Sequence, residues 1–231
     1  MSILQEQTAS IPYRIKHLSN NQNLVELSFD NVARVEAMIY QNSAYRHNKS
    51  NSSSVLINQL TEENYNNLIG QIVDAVDKEN STHLNAGKNG RASVTAILQK
   101  YTLPQLKDLL KNQNGNYDLL NEIAFPQPKT KGVKDRFSYA SKLCHNLCIE
   151  SLQNTPYEDS YCKYDTVLEK VLPLYYEEYC KRKIKKSDYK KQYSTYRKYV
   201  DEIRQAAQKR HGGNIISRNG FDHLIWYCHK G

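Results

Sequence analysis

Apolar residues recur at helical spacing along most of the chain, and no segment alternates apolar and polar residues with the period of two that marks a half-buried β-strand. The segment that begins at Ser28 or Asp30 is typical, because Phe29, Val32 and Val35 follow at intervals of three residues. Helical patterns of this kind follow one another nearly throughout the chain, and none of the segments shows the pattern of a strand. The sequence therefore predicts an all-α fold.

The same pattern predicts a succession of helices joined by short loops. One helix is expected to open at Thr61, and the others span residues 92–101, 103–112, 117–125, 135–149, 166–181, 193–209 and 220–229. Residues 48–54 are polar and predict a loop, and residues 126–134 predict a rigid, basic connector. We expect a two-lobed helical bundle, with the lobes meeting near the middle of the chain.

Composition narrows the environment of the protein. The 231 residues carry a mean hydropathy of −0.76, and no apolar run approaches the length of a membrane span. The first residues lack the basic-then-apolar order of a signal peptide, so we expect a cytoplasmic protein with no membrane partner. The five cysteines are an odd number, which favours reduced thiols over a complete disulfide framework.

The charge is positive and unevenly distributed. A net charge of +8 favours a polyanionic partner, of which nucleic acid is the commonest. Residues 181–198 contain nine Lys or Arg residues and one acid, Asp188, and Tyr189, Tyr193, Tyr196 and Tyr199 lie among them. Two interpretations stay open at this point: a solvated helix surface, or a surface where cations meet phosphates and rings lie against bases.

Several kinds of site are excluded by spacing. The nine glycines do not form a phosphate-binding or dinucleotide-binding motif. Cys144, Cys148 and Cys162 lack the paired spacing of a zinc site and the tight cluster of an iron–sulfur site. We therefore expect buried thiols, no metal and no cofactor.

Two segments can carry chemistry. In residues 134–148, a helical wheel gathers the apolar side chains on one face and leaves Lys142 well away from it, where a lysine is ordinarily just exposed. In the second segment, Thr166 and Glu169 have capping-box spacing, which puts Asp165 at or just before a helix N-terminus. A simple cap explains Asp165 fully, so spacing alone leaves its role open.

The two segments together resemble a known family. "RFSYASKLCHN" followed by "YCKYDTVLEKVLPLYY" is similar to the catalytic half of the helix–hairpin–helix DNA glycosylase superfamily, most of all to its archaeal 8-oxoguanine branch and to uncharacterised bacterial relatives. The resemblance covers residues 91–231, whereas residues 1–90 show no match; we treat the whole of 1–231 as one unit with two lobes. It implies a two-lobed helical bundle of the glycosylase type.

The resemblance also implies catalytic roles. Asp165 would stabilise the sugar cation that forms as a base departs, and Lys142 would be the nucleophile that attacks C1′ and becomes a Schiff base. Arg136 falls near the lysine position of the more familiar glycosylases, and a guanidinium cannot serve there as an amine nucleophile. If Lys142 lies outside the pocket, the enzyme would be monofunctional, with Asp165 alone.

A flipped base also needs a pocket, and the duplex needs phosphate contacts. The pocket candidates are Tyr139, His145, Trp226 and Tyr227, each of which is more often a core residue, and residues 85–90 could contact the base edge. The family hairpin carries two glycines, whereas "TKGVKD" has only one. The DNA-binding candidates are therefore mostly cations: Lys129, Lys131, Gly132, Lys134, Arg136, Lys190, Lys191 and Arg197.

The expected function is excision of a modified base from double-stranded DNA by a monomer, leaving an abasic site. The substrate is either an oxidised purine, in repair, or a hypermodified phage base such as glucosylated hydroxymethylcytosine, in antiviral defence. AP-lyase activity would accompany a working Lys142. Two alternatives stay open, a non-catalytic helical DNA- or RNA-binding module and a helical interaction protein with no nucleic-acid role.

Overall fold

The computed structural model describes residues 24–41, 52–80, 82–84, 89–125 and 135–229. Across these ranges the regular structure is entirely helical and contains no strand, which confirms the all-α prediction. Within the same ranges, no helix combines the length and the apolar character needed to cross a bilayer.

Eleven helices are formed by the described residues. In chain order they are α1 (Phe29–Gln41), α2 (Ser53–Asn58), α3 (Tyr65–Asn80), α4 (Gly90–Leu98), α5 (Leu103–Lys111), α6 (Asp118–Ala124), α7 (Phe137–Ser151), α8 (Thr166–Cys180), α9 (Lys186–Tyr189), α10 (Tyr193–His211) and α11 (Arg218–His229).

The chain divides into two compact units. Unit 1 consists of Met1–Arg46 together with Asp165–Gly231, and unit 2 consists of His47–Tyr164. The helices on either side of residue 90, α3 and α4, pack against each other inside unit 2. The limit of the family resemblance near residue 90 is therefore not a boundary between units.

Helix α7 is the centre of unit 2, where α2, α3, α5 and α6 all pack against it. Its predicted inner face is buried, with the Cys144 and Cys148 side chains fully enclosed and unbridged. The Asp77 carboxylate, 4% exposed, accepts hydrogen bonds from Thr82 Oγ1, from the Leu84 N–H and from Arg91. These contacts tie the segment between α3 and α4 to the core of the unit.

Unit 1 joins the two ends of the described chain. Helix α1 packs against α11, and Gly220 allows the close approach because a Cβ there would stand 2.6 Å from Val32 Cγ1. The segment before α1 is held by two tyrosines of α8: the Val25 N–H donates to Tyr175 Oη at 3.0 Å, and the Leu27 N–H donates to Tyr179 Oη at 2.8 Å.

A proline inside α8 explains how α9 is placed. Pro173 has no N–H, so the Glu169 carbonyl cannot receive its usual hydrogen bond from four residues ahead. The hydroxyl of Tyr189, at the end of α9, donates to that carbonyl at 2.8 Å, and the Tyr189 ring is fully buried. The short helix α9 thus completes a hydrogen bond that α8 cannot make internally.

The structure corrects the predicted elements at several places, since α4 ends at Leu98 instead of residue 101 and the short helix α9 was not expected. The helix expected to open at Thr61 begins at Tyr65, because Thr61 and Asn64 bond each other's backbone N–H groups with their side chains and form a turn. A short helix, α2, was not expected; it begins within the polar stretch 48–54, where Ser52 caps it and Ser53 bonds Glu79.

Candidate functional site

Asp165 is the N-cap of α8. Its backbone is extended, and its carboxylate Oδ1 accepts hydrogen bonds from the Val167 N–H at 2.9 Å and the Leu168 N–H at 2.8 Å. Two backbone donors and the positive end of the helix dipole favour the ionised carboxylate and fix its orientation. The side chain is half-buried. Asp165 therefore presents an oriented anion at the point where unit 1 resumes after unit 2.

The residue before Asp165 is fixed from within unit 2. The Tyr164 N–H donates to Ser141 Oγ at 2.9 Å, and Ser141, fully buried in α7, directs its own hydroxyl to the Ser138 carbonyl. The Tyr164 ring meets Phe137 edge-on, with 4.7 Å between the ring centroids. The peptide that leads into Asp165 is therefore held by Ser141 of α7, the residue directly before Lys142.

Lys142 lies on α7 among fully buried neighbours. Ala140, Ser141, Leu143 and Cys144 are 0% exposed, whereas Lys142 itself is half-buried. The half-buried residues Ser138, Lys142, Asn146 and Glu150 recur every four positions and form one polar stripe along the helix. Lys142 belongs to unit 2 and Asp165 to unit 1.

Arg136, the residue before α7, has a partner inside unit 2. Its guanidinium Nη1 donates to Ser93 Oγ at 3.1 Å, and burial lowers the pKa of the Arg136 side chain from its ordinary value. A guanidinium still keeps its charge at neutral pH, so Arg136 provides a cation and not a nucleophile.

Two of the predicted pocket residues lie in the core of unit 2. Tyr139 is 2% exposed and donates its hydroxyl to the Val73 carbonyl at 2.9 Å, and burial raises the pKa of this phenol well above its ordinary value. His145 is also 2% exposed, with its Nδ1 3.0 Å from the Tyr161 carbonyl. A carbonyl only accepts, so the proton of a neutral His145 sits on Nδ1. Both side chains make the contacts of core residues.

The other two pocket candidates lie on α11 in unit 1. Tyr227 is 1% exposed, whereas Trp226 is half-buried. Trp226 and Tyr227 thus belong to a different unit from Tyr139 and His145. Their role in holding a base stays a prediction.

Most cations of the basic run 181–198 pair with acids of unit 1, some of which also pair with cations outside the run. Six of its cations lie within ion-pair distance of a carboxylate: Lys181 of Glu178, Arg182 and Lys198 of Glu202, Lys183 of Glu177, Lys186 of Glu169, and Arg197 of Asp201. Three of its four tyrosines, Tyr189, Tyr193 and Tyr196, are buried, so their rings pack in the core instead of facing a ligand. The sequence pattern therefore overstated the free charge of this surface.

Other predicted DNA-binding residues, Lys129, Lys131, Gly132 and Lys134, lie outside the described residues, as do positions 85–88 of the predicted base-edge segment. Over the described ranges, Lys and Arg together equal Asp and Glu in number, so the whole net charge of +8 resides in the remaining residues. Within the described ranges, positive charges outnumber negative ones in unit 1, and the reverse holds in unit 2.

Unit 2 also carries a groove with a volume of about 640 Å³, whose lining includes Tyr101, Asp108, Asn112 and Asp118. None of the predicted site residues lines it. No group of His, Cys, Asp and Glu side chains in the described ranges could hold a metal ion.

Comparison with known proteins adds no assignment. No family model matches the chain, no curated protein matches it, and no solved structure matches it. The function must therefore be argued from the residues themselves.

Sequence reasoning missed two residues of this region. The sequence pattern assigns Ser141 no partner, and it groups Tyr189 with the rings that could lie against bases. A signal for Tyr189 was present, because a proline within a helix leaves a carbonyl that needs an external donor. Nothing in the sequence pairs Ser141 with Tyr164, which lies twenty-three residues further on.

Proposed function

We propose that this protein is a DNA glycosylase of the helix–hairpin–helix type that excises a modified base from duplex DNA. The observation that carries the proposal is the geometry of Asp165, whose carboxylate is held by two backbone N–H groups at the start of α8. The family resemblance around residues 136–176 assigns the reaction to this carboxylate. The positive balance of unit 1 also suits a polyanionic substrate.

The proposed reaction breaks the bond between C1′ and the base nitrogen, and the electron pair leaves with the base. Positive charge develops on the sugar ring, and the oriented Asp165 anion stabilises it. A water molecule adds to C1′ and gives its proton to the carboxylate, which leaves an abasic sugar. When the neutral Lys142 amine attacks in place of water, a Schiff base forms and the strand becomes prone to cleavage.

The substrate class follows from the resemblance. The archaeal branch that the chain resembles suggests an oxidised purine, and a hypermodified phage base is the second candidate substrate. Both candidates require the base to leave the helix stack before the sugar can be reached. Duplexes that carry one base of either kind at a fixed position are therefore the substrates to assay.

The variant Asp165→Asn gives the sharpest test of the catalytic role proposed for Asp165. Asn caps helices about as well as Asp, so Asp165→Asn keeps both cap hydrogen bonds and removes only the charge. We expect the single-turnover rate of base release to fall by about 100-fold or more, while the melting temperature and DNA affinity stay near those of the wild type. Asp30→Asn, which also removes an acid from the first turn of a helix in unit 1, is the matched control. Base release by Asp165→Asn at the wild-type rate would exclude Asp165 from the reaction.

Lys142 has an independent readout. With borohydride, a Schiff base between Lys142 and the sugar becomes a permanent link between protein and DNA, and Lys142→Gln should abolish it. Lys107→Gln replaces another half-buried lysine of unit 2 and should leave the link intact. Strand breaks that appear only after alkali treatment, with no trapped complex in the wild type, identify a monofunctional enzyme.

One observation favours a second candidate, a non-catalytic nucleic-acid-binding module. The two hydrogen bonds of Asp165 are those of an ordinary N-cap and need no reaction to explain them. This candidate predicts salt-dependent DNA binding with no base release from any substrate. The same assays therefore separate the two functions.

A further inference from the structure

The cations of the basic run differ sharply in their surroundings. Six of the nine have a carboxylate partner, as described above. Lys185 and Lys190 are exposed and have no carboxylate within ion-pair distance among the described residues. Both flank α9, since Lys185 is its N-cap and Lys190 its C-cap. We name Lys185 and Lys190 the α9 lysines.

The backbone segment that carries the α9 lysines is anchored to α8. Tyr189, between Lys185 and Lys190, is buried and bonds the Glu169 carbonyl, and Lys186 lies 2.5 Å from the Glu169 carboxylate. An exposed segment carried by such an anchor keeps its charges in one place, which reduces the entropy lost when a ligand binds.

The anchor also sets where these charges lie along α8. The Glu169 N–H donates to the Asp165 carbonyl at 2.9 Å, so Glu169 is one turn from the candidate catalytic residue, about 6 Å along the helix axis. Both the anchor and Asp165 belong to unit 1. The α9 lysines are therefore tethered to the first two turns of the helix that Asp165 caps.

We propose that the α9 lysines bind the backbone phosphates of duplex DNA next to the nucleotide presented to Asp165. The choice of duplex DNA as the partner rests on the proposed glycosylase function. Ammonium groups without a carboxylate partner bind phosphate without first breaking an ion pair, whereas the paired cations of the same run must do so. The α9 lysines thus supply affinity that is independent of base sequence.

The test compares two pairs of lysines in unmodified duplex DNA, so that it does not depend on base release. Removing one lysine that binds a phosphate should reduce the slope of log affinity against log salt by about 1, so the double variant Lys185→Ala/Lys190→Ala should reduce it by about 2. The matched control, Lys183→Ala/Lys198→Ala, removes the same charge from two exposed but paired lysines and should leave the slope nearly unchanged. Thermal melting confirms that each variant is folded.

Equal slopes for the wild type and the Lys185→Ala/Lys190→Ala variant overturn the inference, as does an equal reduction of the slope in the control pair. A single-turnover rate at saturating DNA that is unchanged in the double variant supports a purely binding role. Failure of the glycosylase proposal has a different signature, because the wild type would then bind DNA with a slope that depends on the α9 lysines and release no base. Tighter binding of an RNA duplex of the same sequence overturns the choice of DNA.

Discussion

Acid should destabilise unit 1 through one buried histidine. His229 Nε2 lies 2.8 Å from Tyr175 Oη, and the same oxygen accepts the Val25 N–H. Burial lowers the pKa of His229 from 6.5 to about 4. The folded protein therefore holds His229 neutral at a pH where the unfolded chain protonates it, which links its stability to pH.

The size of the effect follows from these two pKa values. At pH 7 an imidazole of pKa 6.5 is mostly neutral in the unfolded chain, and at pH 5 it is almost fully protonated, whereas the folded side chain stays mainly neutral at both. Unfolding then takes up nearly one proton at pH 5, and integration gives a loss of about 2 kcal/mol between pH 7 and pH 5. The stability that the neutral His229 side chain contributes is complete above its pKa of 6.5 in the unfolded chain. It is lost as the pH falls towards about 4, the pKa of His229 in the folded protein.

The assay uses the single tryptophan of the chain, Trp226, which lies on α11 three residues before His229. Urea unfolding followed by its fluorescence should give a free energy about 2 kcal/mol lower at pH 5 than at pH 7. In His229→Gln the amide can still accept from Tyr175 but does not titrate, so most of this loss should disappear. The carboxyl groups are the same in both proteins and cancel in the comparison. An identical pH dependence in the two proteins would refute the reasoning.

Three further predictions test contacts described above. Gly90→Ala should destabilise unit 2 by about 2 kcal/mol or more, because the new Cβ would stand 1.9 Å from the Leu84 carbonyl oxygen; Gly70→Ala, within α3 and with no atom nearer than 3.6 Å, should stabilise it slightly in the same thermal melts. Tyr189→Phe should cost about 1–3 kcal/mol, and less in a Pro173→Ala background where the helix supplies its own donor, as a double-mutant cycle in urea would measure. Ser141→Ala removes the acceptor of the Tyr164 N–H and should cost about 1–3 kcal/mol in unfolding free energy. If this hydrogen bond helps to position Asp165, the single-turnover rate should fall as well. Unchanged stability of the variant would show that the hydrogen bond does not anchor Tyr164.

The helices were largely predictable because their apolar stripes are regular. Helices α7, α8 and α10 lie within two residues of the predicted limits at nearly every end, and the apolar face of α7 is buried as expected. The misplaced start at Thr61 and the missed helix α2 both depend on side chains that bond the backbone, which a hydrophobic period does not register.

The candidate site was predictable only in part. Local spacing places Asp165 at or just before a helix N-terminus, and the structure shows that Asp165 itself is the N-cap, with Thr166 as the first helical residue. Three of the six ion pairs of the run 181–198, those of Lys181, Arg197 and Lys198, have the i,i+3 or i,i+4 spacing that a helical pattern encodes. The other three, those of Arg182, Lys183 and Lys186, join residues at separations that no local pattern encodes. For Tyr189 the sequence provides half of the answer: Pro173 shows that the Glu169 carbonyl needs an external donor, but no local pattern identifies the donor as a hydroxyl twenty residues further on.

The division of the chain has a consequence for synthesis on the ribosome. All of unit 2 is translated before α8, whereas α1, made early, finds its packing partner α11 only when the final helix emerges. Unit 2 can therefore complete its core co-translationally, while the apolar stripe of α1 stays exposed until α11 has been synthesised. Chains that terminate before α11 should therefore have a folded unit 2 and an α1 without its packing partner. Limited proteolysis of such truncated products should cleave α1 and spare unit 2.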